Sequence, residues 1–317
     1  MPNSRSISPA SSAPQRNPST PASALSRRNF LRRAVGGTAI AVVSGPALQS
    51  AFAAETATAP APAAPTAPGG RIKQTVSMGP GKMPFEEYVQ ACAKIGFKGF
   101  DLVDPDKFPI LKKYGMVASM IPSHKLTVGL AHKENHESCL AKMRERIEIA
   151  AANGYPNVIC FPGNRNGMPD DEGLKNCAEA LRQIVGFAEQ KNVTLCMELL
   201  NSKVNHKDYM CDTSRWGANL VEKVGSPRFK LLYDIYHMQV QEGDIIATIR
   251  KFKDYIAHYH TAGVPGRKDI DDSQELYYPA IMRAIAETGY QGYVGHEFTP
   301  KGDRLAALAT AYKICDI

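Results

Sequence analysis

Short apolar runs recur along the chain from residue 71 onward, and longer segments with apolar positions at helical spacing separate them. Short apolar runs of this kind predict buried β-strands. The predicted strands lie in residues 72–77, 100–103, 116–121, 158–161, 193–200, 229–237, 256–263 and 292–298.

The segments between these runs predict helices. In residues 136–153, for example, Leu140, Met143, Ile147 and Ala150 share one helical face, and Gly154 follows as a helix terminator. Comparable patterns predict helices at 84–95, 106–114, 174–188, 216–224, 244–252, 280–288 and 304–312. Eight strand–helix units in about 245 residues favour an α/β fold, a single-domain (β/α)₈ TIM barrel. A doubly wound open sheet is the alternative, although it usually has fewer strands and the chain has no early glycine fingerprint for a dinucleotide.

The first 70 residues differ from this pattern. Residues 1–53 contain six arginines, no lysine and no acidic residue, and the segment Ser26-Arg27-Arg28-Asn29-Phe30-Leu31-Arg32 resembles a twin-arginine export signal. Ala51-Phe52-Ala53 fits a small-x-small cleavage site. Residues 54–70 are rich in Ala and Pro and indicate a linker, so we expect residues 71–317 to form the catalytic domain and to reach the periplasm already folded. A disordered basic tail is the alternative for the leader.

Charge and hydrophobicity argue against nucleic acid and membrane as partners, and the cysteine pattern argues against disulfides. Removing the six leader arginines from the formal charge of +7 leaves about +1, so the folded part offers no basic surface for nucleic acid. The apolar stretch at 34–48 is too short and too rich in Gly and Pro for stable membrane insertion. The seven cysteines form no C-x-x-C pair and predict free thiols. A homo-oligomer stays open at this point.

Four polar residues stand late in the last four predicted strands: Glu198, Asp234, His260 and Glu297. In a TIM barrel the carboxyl ends of the strands meet at one face, so these side chains are expected to converge there. Three carboxylates and one imidazole suit a divalent metal, with Mg²⁺ or Mn²⁺ preferred over Co²⁺ or Zn²⁺. The alternative is that each acid is neutralised by its own salt bridge, which would require several coincidences.

Side chains alternate along a strand, which separates the remaining histidines. If Glu297 faces the barrel interior, His296 faces the helices and is a packing residue. His258 points with His260, one layer below it, and is expected to support the site rather than to bind metal.

Glu198 and Glu297 are the expected acid–base catalysts. Two carboxylates on opposite sides of a metal-bound hydroxy-carbonyl compound can remove a carbon-bound proton and return one to the adjacent carbon, through an ene-diolate that the metal stabilises.

Several motifs of the C-terminal half resemble the hydroxypyruvate isomerase family. They are MELLN at 197–201, LYDIYHMQ at 232–239, EGD at 242–244, HYHTAGVPGR at 258–267, QEL at 274–276 and GYVGHEFTP at 292–300. The resemblance covers about residues 71–301 and includes the xylose-isomerase-like TIM barrels, with ketose 3-epimerases and inosose dehydratases as relatives. It implies metal ligation by Glu198, Asp234, His260 and Glu297, with both glutamates as proton carriers.

Two further positions are expected to bind substrate. His237 ends the sixth run, three residues past Asp234, and by resemblance to the epimerases would hydrogen-bond a substrate oxygen; an exposed loop histidine is the alternative. Arg267 follows a Gly-Val-Pro-Gly turn and could bind the carboxylate of a small keto acid, unless it is a surface arginine.

The expected reaction is therefore the interconversion of hydroxypyruvate and 2-hydroxy-3-oxopropanoate, or of a similar hydroxy-carbonyl pair. One departure from the family concerns position 260, where many members carry Gln and the epimerases carry His. A ketose 3-epimerase or an inosose dehydratase-like enzyme thus remains an alternative, and a non-catalytic sugar-binding barrel is another. An endonuclease on a related barrel is disfavoured, since its zinc cluster needs more histidine ligands.

Overall fold

Eight parallel strands form the centre of the protein. The computed structural model describes residues 70–317, and the predicted export leader lies outside these residues. The strands β1 to β8 are Lys73–Val76, Gly99–Asp101, Val117–Met120, Asn157–Cys160, Thr194–Leu199, Phe229–Asp234, Ile256–Thr261 and Tyr293–His296. Each lies within or next to a run that the sequence predicts as a strand, and most runs lose one or two residues at their ends.

The strands follow one another around a barrel. The first strand pairs with both β2 and β8, and the order continues from β8 through β7, β6 and β5 to β4. Between β3 and β4 the parallel contact is a single bridge, in which Ile121 accepts from the amide of Ile159 at 3.0 Å and donates to Asn157 at 3.0 Å. The predicted TIM barrel is therefore confirmed, and the open-sheet alternative is wrong.

Helices surround the strands. Within residues 70–317 the helices α1 to α9 are Phe85–Ile95, Phe108–Lys113, His136–Asn153, Asp170–Lys191, Ser214–Val224, Ile235–Gln241, Ile245–Phe252, Tyr278–Glu287 and Arg304–Cys315. The helix α3 begins and ends as predicted and buries Cys139, Met143, Ile147 and Ala150. All seven cysteines are buried free thiols, as predicted. No helix in the described part of the chain is long and apolar enough to cross a membrane.

One run is divided differently from the prediction. The apolar run at 229–237 is a strand only as far as Asp234, and α6 begins at the next residue. The reason is a cap: Oδ1 of Asp234 accepts a hydrogen bond from the backbone N–H of His237 at 3.1 Å. Because Ile235, Tyr236 and Met238 are as buried as the strand before them, hydrophobicity alone does not mark this boundary.

Candidate active site

The structure brings Glu198, Asp234, His260 and Glu297 together at the carboxyl-terminal end of the barrel. One ligand atom from each of the four lies within 4.8 Å of all the others. Glu198 and His260 are the second-to-last residues of β5 and β7. Asp234 is the last residue of β6, and Glu297 directly follows β8. The first three are buried, whereas the Glu297 side chain is 23% exposed toward the mouth.

The imidazole of His260 faces both glutamates with one of its nitrogens. Its Nδ1 is 2.7 Å from Oε2 of Glu297 and 3.6 Å from Oε1 of Glu198. Neither Nδ1 of His260 nor Oε2 of Glu297 has a partner with hydrogen-bond geometry, although both atoms are buried. The short contact is thus a close approach of two ligand-type atoms rather than a satisfied hydrogen bond.

Arg267 also contacts this group. Its Nη2 lies 2.8 Å from Oε2 of Glu297 and 3.3 Å from Oδ2 of Asp234. The backbone of Arg267 has φ 57°, a left-handed conformation that is costly for a residue with a side chain, and the guanidinium lies over the ring of Tyr236. The interpretation of Arg267 as a surface residue is wrong, because the structure holds it against two of the four site residues.

The charges of the group do not balance. In residues 70–317, Arg267 is the only Lys or Arg that forms a salt bridge with any of the three carboxylates. Burial, reinforced by Glu297, raises the pKa of Glu198 to about 7. Burial would also raise the pKa of Asp234, but His237 and Arg267 outweigh it and lower that pKa. For His260, burial is outweighed by Glu297, Asp101 and Glu198, which raise its pKa well above the ordinary value.

His237 lies in the first turn of α6 and is fully buried, so the alternative of an exposed loop histidine is wrong. Its Nδ1 accepts a hydrogen bond from the backbone N–H of Asn201 at 3.2 Å, and the Asn201 amide group lies 2.7 Å away. Burial lowers the pKa of His237 to about 4, so the ring is neutral near pH 7 and its proton must sit on Nε2. That Nε2 is 3.8 Å from Oδ2 of Asp234 and has no hydrogen-bond partner.

Below these residues lies a second polar group, in which His258 takes the supporting position predicted for it, whereas Asp101 was not predicted. Asp101, the last residue of β2, lies 2.8 Å from Nε2 of His258 and 3.1 Å from Nε2 of His260 through its Oδ2. The hydroxyls of Thr75 and Ser119 donate to its Oδ1. Burial disfavours the Asp101 carboxylate, but His258 and His260 hold its pKa well below the usual range.

The remaining histidine of the last strands faces away from the site, as the alternation predicts. Both ring nitrogens of His296 are occupied, Nδ1 by the hydroxyl of Thr261 at 2.7 Å and Nε2 by the amide of Gln74 at 2.8 Å. Its ring packs edge-on against Phe97 under the outer helices. His296 is therefore a structural residue.

Two neighbouring cavities open next to the site. The smaller, of about 250 Å³, is lined by Glu297, Arg267, Arg304 and the segment from 298 to 300. The other, of about 400 Å³, shares Ser77 and Met78 with it and extends past Phe85 and Leu102. A larger surface groove near Trp216 contains none of the predicted site residues, so volume does not identify the site here.

Known proteins resemble this chain in sequence and in fold. Residues 89–314 match the model of the xylose isomerase-like TIM barrel family. The chain belongs to this family. A putative hydroxypyruvate isomerase of Drosophila melanogaster is 30% identical over 240 residues, which cover 72% of this chain and 90% of that protein. The motif resemblance to hydroxypyruvate isomerases is thereby confirmed.

Two further comparisons define the extent of the likeness. A putative hydroxypyruvate isomerase of Homo sapiens is 30% identical over 172 residues, which are 53% of this chain but only 62% of the human protein. A solved structure described as AP endonuclease, family 2 from Brucella melitensis has a TM-score of 0.67 at 21% identity and covers 75% of this chain and 98% of that one. At that identity the match shows the fold alone.

The site of this xylose isomerase-like barrel fits a divalent cation. Three carboxylates and an imidazole form a donor set typical of Mg²⁺ or Mn²⁺ proteins. Two of the atoms that would face the cation, Nδ1 of His260 and Oε2 of Glu297, are buried without a hydrogen bond. The three carboxylates outnumber Arg267 and His260, which pair with them, so the arrangement provides both the ligands and the charge that a cation requires.

Proposed function

We propose that this protein is a divalent-metal-dependent isomerase that interconverts hydroxypyruvate and 2-hydroxy-3-oxopropanoate, or a similar hydroxy-carbonyl pair. The observation that supports this proposal most is that Glu198 and Glu297 both face Nδ1 of His260, with ligand atoms of all three within 4.8 Å at the barrel mouth. Two carboxylates around one small space suit the transfer of a carbon-bound proton. The names of the human and Drosophila relatives agree with this reaction.

Glu198, Asp234, His260 and Glu297 would hold the cation, with Mg²⁺ or Mn²⁺ favoured. When bound, such a cation polarises a substrate carbonyl and offsets the negative charge of an ene-diolate. The residues of the chain supply proton transfer and orientation.

The proton transfer balances without a redox cofactor. One glutamate removes a proton from C3 of hydroxypyruvate, the carbon that carries the hydroxyl group, and the electron pair forms the C2–C3 double bond of the ene-diolate. A proton then returns to C2 while the O3 hydroxyl loses its proton and becomes the new aldehyde. The proton lost from O3 is matched by the one gained at O2, so the product is an isomer of the substrate.

His237 and Arg267 would orient the substrate. The proton on Nε2 of His237 has no partner and points into the site, so it can donate to a substrate hydroxyl or carbonyl oxygen. Arg267 has a buried Nε without a partner and lines the mouth cavity next to Glu297. A guanidinium in this position suits the carboxylate of a small keto acid.

A ketose 3-epimerase is the second candidate, and it rests on His260. Many hydroxypyruvate isomerases carry Gln at this position and the epimerases carry His. Epimerisation uses the same two glutamates, one to remove a proton from a carbon and the other to return it to the opposite face.

An assay of the purified protein tests the first proposal. With Mn²⁺ or Mg²⁺ we expect hydroxypyruvate to convert to 2-hydroxy-3-oxopropanoate, excess EDTA to abolish the conversion, and added Mn²⁺ to restore it. Turnover that persists after exhaustive removal of metal would contradict the proposed metal dependence.

Solvent exchange separates the candidates. In D₂O, an isomerase introduces deuterium at C2 or C3 of the three-carbon acids, whereas an epimerase introduces it at C3 of a ketose. Ligand-dependent thermal stabilisation with no exchange into any hydroxy-carbonyl compound would instead indicate a non-catalytic sugar-binding barrel.

A further inference from the structure

The charged network around Asp101 connects both sides of the barrel. Its carboxylate is fully enclosed and is contacted from β1, β3 and β7. The hydroxyls of Thr75 and Ser119 donate to Oδ1, which leaves Oδ2 for Nε2 of His258 and of His260. Both oxygens of this carboxylate therefore accept hydrogen bonds from neighbouring side chains.

A glycine on β8 leaves room for this arrangement. A Cβ atom on Gly295 would lie 2.1 Å from Oδ2 of Asp101 and 3.0 Å from Cδ2 of His260. No ordinary side chain can therefore occupy position 295 while the contact between Asp101 and His260 is preserved. The requirement for glycine comes from packing, because this residue does not need a left-handed backbone.

The contact determines which nitrogen of His260 is available at the site. Because Nε2–H donates to Asp101, the neutral ring that a bound cation requires has no proton on Nδ1, and it would present the Nδ1 lone pair on the side of Glu198 and Glu297. A carboxylate behind a histidine ligand fixes the tautomer and the ring orientation, and it raises the basicity of the ligand.

We propose that Asp101 is a positioning residue that sets the tautomer and orientation of His260 and thereby tunes the affinity of the site for its divalent cation. This proposal rests on the proposed function, since it requires that His260 bind the cation. Asp101 itself contacts neither substrate nor cation. Gly295 has the matching role of keeping the space next to Oδ2 free.

A second cation between Asp101, His258 and His260 is the competing interpretation, because the three residues could also hold a metal. Two observations favour the hydrogen-bonded network. The separations of 2.8 and 3.1 Å are those of ordinary N–H···O hydrogen bonds, and the two hydroxyl groups already occupy Oδ1. All three side chains are also fully enclosed, whereas Glu297 of the first site is exposed toward the mouth.

The substitution D101N tests the proposal with nearly the same shape. The amide has one oxygen instead of two, so it must turn an N–H group toward either the hydroxyls or the imidazoles. An N–H group that faces Nε2 of His260 forces the proton onto Nδ1, where the cation would bind. The substitution G295A disturbs the same contact from the other side, through the added methyl group.

Titration with Mn²⁺ followed by electron paramagnetic resonance measures free Mn²⁺ and needs no substrate. We expect one Mn²⁺ per chain in the wild-type protein, and a dissociation constant about 10- to 100-fold higher in D101N and in G295A. The matched control is D212N, which removes another buried carboxylate. Asp212 lies in the loop after β5 and pairs with Arg165. This control is expected to lower thermal stability in EDTA while Mn²⁺ affinity stays within about twofold of wild type.

The outcomes are distinct. If the wild-type protein binds Mn²⁺ and folded D101N binds it equally tightly, the positioning role is wrong and the proposed function stands. If two Mn²⁺ ions bind to the wild-type chain and one to D101N, Asp101 is a ligand and the proposal is overturned. If the wild-type protein binds no Mn²⁺, the proposed function fails and the role of Asp101 fails with it.

A milder variant keeps the test decisive if D101N and G295A do not fold. S119A leaves the Asp101 charge and both histidine contacts in place and removes only one hydroxyl that fixes the rotation of the carboxylate. We expect its Mn²⁺ dissociation constant to rise about three- to tenfold, in proportion to a weaker restraint. An unchanged constant in folded S119A would contradict the proposal.

Discussion

Two layers of the barrel interior, one directly above the other, use the same residue types in opposite ways. The mouth layer consists of Glu198, Asp234, His260 and Glu297, and the floor layer is Asp101 with the groups that hydrogen-bond to it. In the floor, one carboxylate receives four donors. In the mouth, the one arginine contacts only two of the three carboxylates, and buried polar atoms are left without hydrogen bonds.

The difference separates structure from function. The floor carboxylate stabilises the folded chain, because both of its oxygens accept hydrogen bonds, although the buried Nδ1 of His258 has no partner. An incomplete group of like charges has the opposite effect and persists where it serves binding or catalysis. His260 belongs to both layers, since Nε2 faces Asp101 and Nδ1 faces the glutamates.

The largest expected effect is in the mouth. The substitution E297Q keeps the size of the side chain but removes a proton carrier and a charged ligand, so we expect the turnover number for isomerisation to fall by about 10³-fold or more. The measurement is steady-state conversion of hydroxypyruvate with saturating Mn²⁺. The matched control is E287Q on the exposed face of α8, where the loss of a salt bridge to Arg250 should leave turnover unchanged. Full activity in E297Q would remove this residue from the mechanism.

The second prediction concerns the stability of the floor. In EDTA, D101N is expected to lower the free energy of unfolding by about 2–4 kcal/mol, because a buried carboxylate with charge-assisted hydrogen bonds is replaced by an amide that leaves a donor unpaired. Urea denaturation followed by circular dichroism measures this change. The control is D271N, where an exposed acid pairs with Lys301 and the expected loss is below about 1 kcal/mol. Equal stability of D101N and wild type would show that the hydrogen bonds of Asp101 do not stabilise the folded chain.

The third prediction concerns Arg267, at the edge of the mouth. The substitution R267K keeps the positive charge but removes the forked donor geometry, so the KM for a keto acid should rise about 10- to 100-fold with a smaller change in turnover number. The control is R250K on the outer surface, which should change neither value. An equal loss in turnover number with KM unchanged would place Arg267 in the chemical step instead of in substrate binding.

The residues of the mouth and His258 of the floor were predictable from the sequence, whereas Asp101 was not. The residues of the mouth stand at equivalent positions of consecutive strand–helix units, so the barrel architecture alone brings them together. Asp101 lacks such a signal, because the segment FDLVDPD at 100–106 contains two more acidic residues just after the predicted strand, Asp104 and Asp106. In the structure β2 has three residues and shifts its register against β3 between Phe100 and Asp101, and its last residue, Asp101, is the acid that is buried.

The burial of His237 was equally hard to predict from the sequence. Its proximity to Asp234 was predictable, but its burial depends on the turn from β6 directly into α6 and on Asn201, which lies 36 residues away in the chain. The hydrophobic pattern predicts a longer strand because the apolar residues continue through the boundary between β6 and α6. The capping contact of Asp234 is what changes the backbone direction.

The smallest expected effect is a change in the stability of E198Q, and its direction depends on whether metal is present. Glu198 is buried and repelled by Glu297, and no Lys or Arg of the described chain forms a salt bridge with it, so the metal-free protein bears the cost of this carboxylate. In EDTA we expect E198Q to be more stable than wild type by about 1 kcal/mol, measured by urea denaturation at pH 7.5. In Mn²⁺ the order should reverse, since a bound cation at about 100 times its dissociation constant adds about 2.7 kcal/mol to the wild-type protein and less to a variant that has lost a ligand. If E198Q were less stable than wild type in EDTA as well, Glu198 would belong with Asp101 among the structural carboxylates, and the contrast between mouth and floor would not hold.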